Sequence, residues 1–255
     1  MNKQIFFWSL VSALAGFLFG FDTVVISGAE QHIQSLWGLS AGLHGFAIGS
    51  ALYGTVLGAL FGGWPTDRFG RKRTLLCIGV LYVISALGCA FANGVTMFII
   101  ARVIGGIGIG ISTVAAPLYI SEIAPPAYRG RLAGMFQFNI VFGILIAFAS
   151  NAALAGIGEN AWRWMLGVAA FPSLLYTLFC IGIPESPRWL IGRKGDRAAG
   201  VKVLKLIEPD ASTAQIEADA DAILAATSER VTAAKFWTWR LRVPILLAFL
   251  VAFFN

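Results

Sequence analysis

Six stretches of about 20 mainly apolar residues follow one another through most of this chain. They run Ile5–Ser27, Phe46–Trp64, Thr74–Phe91, Met97–Ile120, Leu132–Leu154 and Trp162–Ile183. A hydrocarbon layer about 30 Å thick takes a helix of that length to cross it. In lipid an isolated segment must satisfy its own backbone, so each stretch is expected to be a helix. Glycine and proline inside the stretches do not argue against this, because membrane helices tolerate both. The expected fold class is therefore all-α and integral to a membrane. Composition agrees: 58% of the 255 residues are hydrophobic and 13% are charged, against about 45–50% and 25% in soluble domains.

The net charge of +6 is not a nucleic-acid signature, because the charges flank the apolar stretches. Arg68, Arg71, Lys72 and Arg73 lie between the second and third, and Arg129 and Arg131 between the fourth and fifth. Arg188, Arg193, Lys194, Arg197, Lys202 and Lys205 follow the sixth. The alternate loops carry Glu30, His32, His44 and Glu159, with Arg163 alone at the head of the sixth stretch. The basic side is expected to be cytoplasmic, which puts the N-terminus inside. Trp162 and Trp164 then fit the outer interface, and Trp8, Trp64 and Trp189 the inner one. The first apolar run is too long for a cleavable signal and lacks a small-residue cleavage site after it. Cys77, Cys89 and Cys180 all fall in apolar stretches. Their odd number and spacing suggest neither a disulfide framework nor a zinc site.

Two charges inside the apolar stretches are the strongest functional signal. Asp22 stands about five residues from the outer end of the first span, and Arg102 about five residues into the fourth. At about 1.5 Å per residue both lie roughly 7 Å below the outer boundary. Charges in a bilayer are expensive, so a facing pair of opposite sign points to an ion or substrate pathway. A static ion pair and snorkelling to the interface are the alternatives.

Glycines 45, 49, 54, 58 and 62 form GxxxG pairs along the second span, which let helices approach closely. Gly105, Gly106, Gly108 and Gly110 lack the spacing of a dinucleotide loop and have no preceding soluble strand, so they also read as packing residues. Residues 188–242 are more polar. Val203, Leu204, Ile207, Ile216, Ala220 and Ile223 recur at helical spacing, and Ser212 with Gln215 suggests a capping box. Two or three amphipathic helices are expected there, on the inner end of the bundle; a membrane-surface anchor is the alternative. Residues 243–255 read as the beginning of a seventh span, which makes the chain either a fragment or a half-unit needing a partner.

Between spans two and three the segment Gly63-Trp64-Pro65-Thr66-Asp67-Arg68-Phe69-Gly70-Arg71-Lys72 sets an acid and several bases in a tight turn next to a glycine suited to close packing. It resembles the GxxxDRxGRR/K loop of the major facilitator superfamily. Gly16-Phe17-Leu18-Phe19-Gly20-Phe21-Asp22-Thr23, the run from Arg102 to Arg131 and Pro184-Glu185-Ser186-Pro187-Arg188-Trp189-Leu190 are similar to motifs of its sugar porter family. The resemblance implies the N-terminal six-helix bundle of that fold, residues 1–187, built from two three-helix inverted repeats. A cytoplasmic linker over 188–242 and the start of the seventh span over 243–255 would follow. Asn255 stands about where a sugar-binding motif of the family's second half would begin.

The resemblance also implies a function: movement of a monosaccharide (hexose, pentose or related polyol) across the plasma membrane, or a bacterial inner membrane, coupled to protons by alternating access. Asp22 and Arg102 would couple the proton, and Phe19 and Gln137 would contact sugar. Ile144 replaces a second glutamine of many members, and Phe21 and Pro65 depart mildly. Gly63, Asp67, Arg68, Gly70, Arg71, Glu122, Arg131, Glu185 and Arg188 would form a cytoplasmic gate; topology alone would explain the bases but not the acid or the glycines. An uncoupled facilitator, a non-transporting sugar sensor and a half-unit inactive alone are the other readings. No metal or cofactor is expected beyond the proton, and neither is an enzyme: the spans hold no HExxH, paired carboxylates or nucleophile with a base. The expected partners are a sugar, the bilayer, and a second six-helix half or a second copy.

Overall fold

The computed structural model describes residues 2–232 and 242–254, and among them there are helices and no strands. The helices are α1 (Lys3–Val25), α2 (Glu30–Leu36), α3 (Ala41–Phe61), α4 (Gly63–Phe69), α5 (Arg71–Ala90), α6 (Val95–Ile123) and α7 (Arg129–Leu154). There follow α8 (Ala161–Gly167), α9 (Ala170–Gly182), α10 (Pro187–Gly192), α11 (Arg197–Ile207), α12 (Thr213–Thr232) and α13 (Arg242–Phe254). Six segments of the described residues are long and apolar enough to cross a membrane: Lys3–Gly28, Ala41–Phe61, Arg71–Ala90, Val95–Ile123, Arg129–Leu154 and Ala161–Gly182. They overlap the six expected spans, with shifts at the ends. The second begins five residues early because Ser40 caps it, its hydroxyl accepting from the Leu43 amide at 3.4 Å. The sixth is broken into α8 and α9. Pro172, in the first turn of α9, has no N–H to give to the carbonyl of Val168, and the Phe171 amide takes that carbonyl instead at 3.1 Å.

Glycine sets which helices touch most closely. Gly54 and Gly58 of α3 face the backbone of α6 at Val103 and Ile107, while Gly106 and Gly110 of α6 face Ala51, Thr55 and Ala59. A Cβ at any of the four would overlap a backbone carbonyl across the contact, so the two helices mesh at backbone distance. α1 and α7 mesh alike, through Gly16, Gly20 and Gly143. Gly105 turns instead to Ser85 of α5, so the α6 glycines serve two neighbours. Gly45 and Gly49 do not share this role: a Cβ there would meet open space. Gly63 is likewise open. It lies beyond the end of α3, where Gly62 makes the approach to Ile111.

The buried side chains form two apolar clusters stacked along the bundle. One, towards the basic end, holds Trp8, Tyr82, Tyr119, Tyr176 and Trp189; the other, towards the opposite end, holds Phe21, Ile33, Phe98 and Trp162. The five tryptophans expected at the membrane interfaces differ in burial. Trp8, Trp162 and Trp189 are buried, whereas Trp64 and Trp164 are exposed. Trp162 lies beneath the guanidinium of Arg163, 4.3 Å from the ring centre, and beside Trp37.

After the sixth span, α10, α11 and α12 pack on one another. Asn2 ties α11 to the bundle by donating to the Leu206 carbonyl at 3.0 Å. Arg197 joins α11 to α12 through Glu217 at 2.6 Å and through Asp221. Half of the expected capping box forms: Ser212 Oγ accepts from the Gln215 amide at 3.2 Å, but the Gln215 side chain turns to Asp219. The remainder of the expected linker, 233–241, lies outside the described residues, as does Asn255.

Candidate functional site

Asp22 falls on the last turn of α1 and Arg102 on the second turn of α6. Because the helices run in opposite directions along the bundle, these turns come level, and the side chains meet. Arg102 Nη1 donates to Asp22 Oδ2 at 2.9 Å and reaches the Asp22 carbonyl at 3.5 Å. The residues Asp22 and Arg102 are 8% and 3% exposed. At that burial neither charge is tolerated without the other: removing one partner of a buried pair typically costs about 3–5 kcal/mol.

A second polar cluster occupies the basic end. α4 and α5 meet at Gly70, whose backbone (φ +94°) lies in the region open to glycine, and where a Cβ would overlap the carboxylate of Glu185. The absence of a side chain lets Glu185 reach the start of α5. Its carboxylate accepts from the amides of Arg71 at 2.8 Å, Lys72 at 3.1 Å and Ser186 at 2.9 Å, which caps the helix from another part of the chain. Burial pushes the Glu185 carboxyl above the usual range, against the pull of those three amides and of Arg71. Arg71 is the hub. Nε and Nη2 donate to the two oxygens of Glu122, each at 2.9 Å, a bidentate pair. Nη1 donates to the Thr66 carbonyl at 3.1 Å and lies 3.3 Å from Asp67 Oδ1. Asp67 in turn takes Arg193 at 3.2 Å, and its carbonyl accepts the Trp189 indole N–H at 2.7 Å.

Arg68, Arg131 and Arg188 stand outside this cluster, contrary to the sequence expectation. All three are exposed, and none forms an ion pair among the described residues. On α4, Asp67 is one turn before Arg71 and faces it. Arg68 is turned about 100° away and lies over the Trp64 ring, 5.9 Å from its centre. On α10, Pro187, Trp189, Leu190 and Ile191 are buried and Arg188 is left on the exposed side.

The two expected sugar contacts differ in setting. Gln137 is exposed on α7 and forms no hydrogen bond among the described residues, so its amide is open to a ligand. Phe19 is half-buried on α1 and packs on the apolar cluster below it. Ile144 lines a shallow apolar depression of about 470 Å³ with Phe138, Val141, Phe142, Leu145 and Phe148.

Several participants are missing from the sequence reading. Trp189 and Arg193 join the Asp67 side of the cluster. Lys72 Nζ donates to the Ile181 carbonyl at 2.7 Å, and Arg163 donates to the Ala90 carbonyl at 2.6 Å. Tyr82 and Ser85 on α5 bring hydroxyls to the level of Asp22 and Arg102. Their polar three-residue spacing inside an apolar run was the available signal.

A family profile described as "Sugar (and other) transporter" matches residues 8–255. The Arabinose-proton symporter of Escherichia coli (strain K12) is 40% identical over 216 residues, which cover 85% of this chain and 45% of that protein. The D-xylose-proton symporter of the same strain is 36% identical over 233 residues, 78% of this chain and 48% of that protein. Among solved structures, a major facilitator superfamily proton:xylose symporter bound to 6-bromo-6-deoxy-D-glucose superposes with a TM-score of 0.84 at 32% identity, over 89% of this chain and 54% of that one. The inward open xylose transporter from E. coli gives 0.78 at 32% identity, over 91% and 57%. The chain spans about half the length of the curated relatives it matches.

Proposed function

The chain belongs to the sugar transporter family of the major facilitator superfamily, and on that premise we propose that it supplies the N-terminal half of a proton-coupled monosaccharide symporter. The observation that carries this reading is the buried Asp22–Arg102 pair at 2.9 Å. Proton-coupled relatives that match along this length of chain support the choice of the proton as coupling ion. The second half of the protein, or a second copy, completes the cavity.

The chemistry runs through the pair. Opposite unit charges about 4 Å apart at an effective dielectric of 20 attract by about 4 kcal/mol, roughly three powers of ten in an equilibrium. Separating Arg102 from Asp22 favours a proton on the carboxylate; re-forming the pair favours its release. If the two halves rock about the sugar and change that separation, proton and sugar move together. A potential of 100 mV then contributes about 2.3 kcal/mol per proton, enough for an accumulation of about 50-fold. Gln137 offers its open amide to sugar hydroxyls, and Phe19, half-buried on α1, offers an aromatic face to the sugar ring. The basic end is cytoplasmic by the distribution of Lys and Arg, in a plasma membrane. There the Arg71–Glu122–Glu185 cluster ties α4 and α5 of the first three-helix repeat to α6 of the second and to the connection between α9 and α10.

The test is Asp22→Asn in the complete transporter. Concentrative uptake of labelled monosaccharide is lost, while counterflow between loaded vesicles and medium continues. Unchanged concentrative uptake would remove Asp22 from the coupling role.

A further inference from the structure

α5 carries Tyr82, Ser85 and Cys89 at spacings of three and four residues, so the three lie on one helix face. That face meets α6. A Cβ at Gly105 would overlap the Ser85 hydroxyl, and a Cβ at Gly88 would come within 2.8 Å of Ala101. Arg102, one residue past Ala101 on α6, is therefore level with the stretch of α5 between Ser85 and Gly88. Tyr82 and Cys89 of this face have Asp22 as a neighbour, and Cys89 has Arg102 as well. Beyond Tyr82 comes Tyr176 of α9. α9 has no charged residue, and those of α7, Arg129 and Arg131, lie in its first turn at the basic end. Asp22 thus faces one base and a set of neutral hydroxyl and thiol groups.

This surround is not satisfied by its own hydrogen bonds. Tyr82 Oη, Ser85 Oγ and Arg102 Nε are buried without a partner among the described residues. Ser112, beside Tyr82, donates its own proton to the Ile109 carbonyl at 2.7 Å, so it can accept from Tyr82 but not donate to it. An unused donor on the guanidinium and two unused hydroxyl oxygens occur around one ion pair, and orphaned buried polar groups are rare enough to need a reason. A guanidinium that loses its carboxylate to a proton must find acceptors close by, since a buried unpaired charge is strongly unfavourable.

We propose that Ser85 and Tyr82 are positioning residues of the ion pair: their hydroxyl oxygens are the acceptors to which the Arg102 guanidinium turns when Asp22 takes a proton. The inference deepens the coupling role given to Asp22 above and rests on it. The proton arrives on the carboxylate, the Nη1–Oδ2 bond opens, and Arg102 keeps its charge while its N–H groups point at α5. Loss of a hydrogen bond to a charged group is worth about tenfold or more in the equilibrium. Deleting either hydroxyl therefore weakens proton binding at Asp22 about tenfold.

The experiment uses the complete transporter, purified in lipid nanodiscs. The infrared band of the protonated Asp22 carboxyl, assigned by its absence in Asp22→Asn, is followed across pH in wild type, Tyr82→Phe and Ser85→Ala. The expected result is about a tenfold loss of proton affinity in each variant and a larger one in the double variant. Tyr82→Phe keeps the ring, so a packing role would leave the profile where it is. Should Tyr82→Phe fail to fold, Ser85→Ala decides alone. Profiles superimposable on wild type in every folded variant would overturn the proposal and leave the transport reading standing. That reading falls instead if uphill uptake survives Asp22→Asn.

Discussion

Replacing Glu122 by alanine removes both carboxylate oxygens that hold Arg71. The side chains of both residues are 8% exposed, so water does not take over the bonds. What stays with the guanidinium is the Thr66 carbonyl at 3.1 Å and Asp67 at 3.3 Å, and Asp67 is itself 44% exposed and shared with Arg193. Breaking a buried ion pair typically costs about 3–5 kcal/mol, and the partial cover from Asp67 places the loss near the lower end, about 3 kcal/mol. Glu122→Gln keeps one acceptor oxygen but turns an amide NH2 towards a cation, for a loss of about 2 kcal/mol. The assay is denaturant unfolding of the purified chain in micelles, read from tryptophan fluorescence; Trp189 is anchored on the Asp67 carbonyl and reports the cluster. In the double variant Arg71→Ala with Glu122→Ala, the two losses should fall short of additive by about 2 kcal/mol. A loss under about 0.5 kcal/mol for Glu122→Ala, the behaviour of a surface pair, would refute the reasoning.

Gln137→Ala should weaken monosaccharide binding by the complete transporter about tenfold, the worth of a hydrogen bond or two, and leave proton movement per sugar unchanged; equilibrium binding with parallel proton-flux records checks both halves. Glu185 carries a pH signature. Its carboxyl is raised from an ordinary value of 4.5, so the folded chain binds that proton more tightly than the unfolded chain does. Its contribution to stability is full below the ordinary carboxylate range and is lost as pH rises through the raised value. Unfolding midpoints followed upward from pH 4.5, the ordinary value, should show this decline in wild type and not in Glu185→Gln.

Much of this was legible in the order of residue types. The spans could be read from their length and apolarity, since lipid leaves a single segment few options. The meeting of Asp22 with Arg102 followed from counting residues along two oppositely running helices. Details that depend on helix rotation were harder to see. Arg68 and Arg71 look equivalent in a run of bases, yet the turn at Gly70 and the step of about 100° per residue along α4 bury one and expose the other. Gly45 and Gly58 belong to the same repeated pattern, but α6 passes close to only one of them. Trp162 and Trp189 fit an interfacial role by position along the chain. They are buried because they join the two apolar clusters, and their partners there, such as Trp37 and the Asp67 carbonyl, lie far off in the sequence. The hydroxyls of Tyr82 and Ser85 lay hidden for the same reason: one polar face of one helix matters only once its neighbour is known.

The account stands or falls on whether the acid of α1 exchanges its guanidinium for a proton while sugar moves. The direct measurement is sugar-induced proton entry, recorded as alkalinisation of a weakly buffered suspension of de-energised cells carrying the complete transporter. Addition of monosaccharide should alkalinise the medium with wild type, and with Asp22→Asn the signal should vanish while counterflow goes on. A wild type that carries sugar without any proton signal, or an Asp22→Asn variant that keeps the signal, would contradict the account.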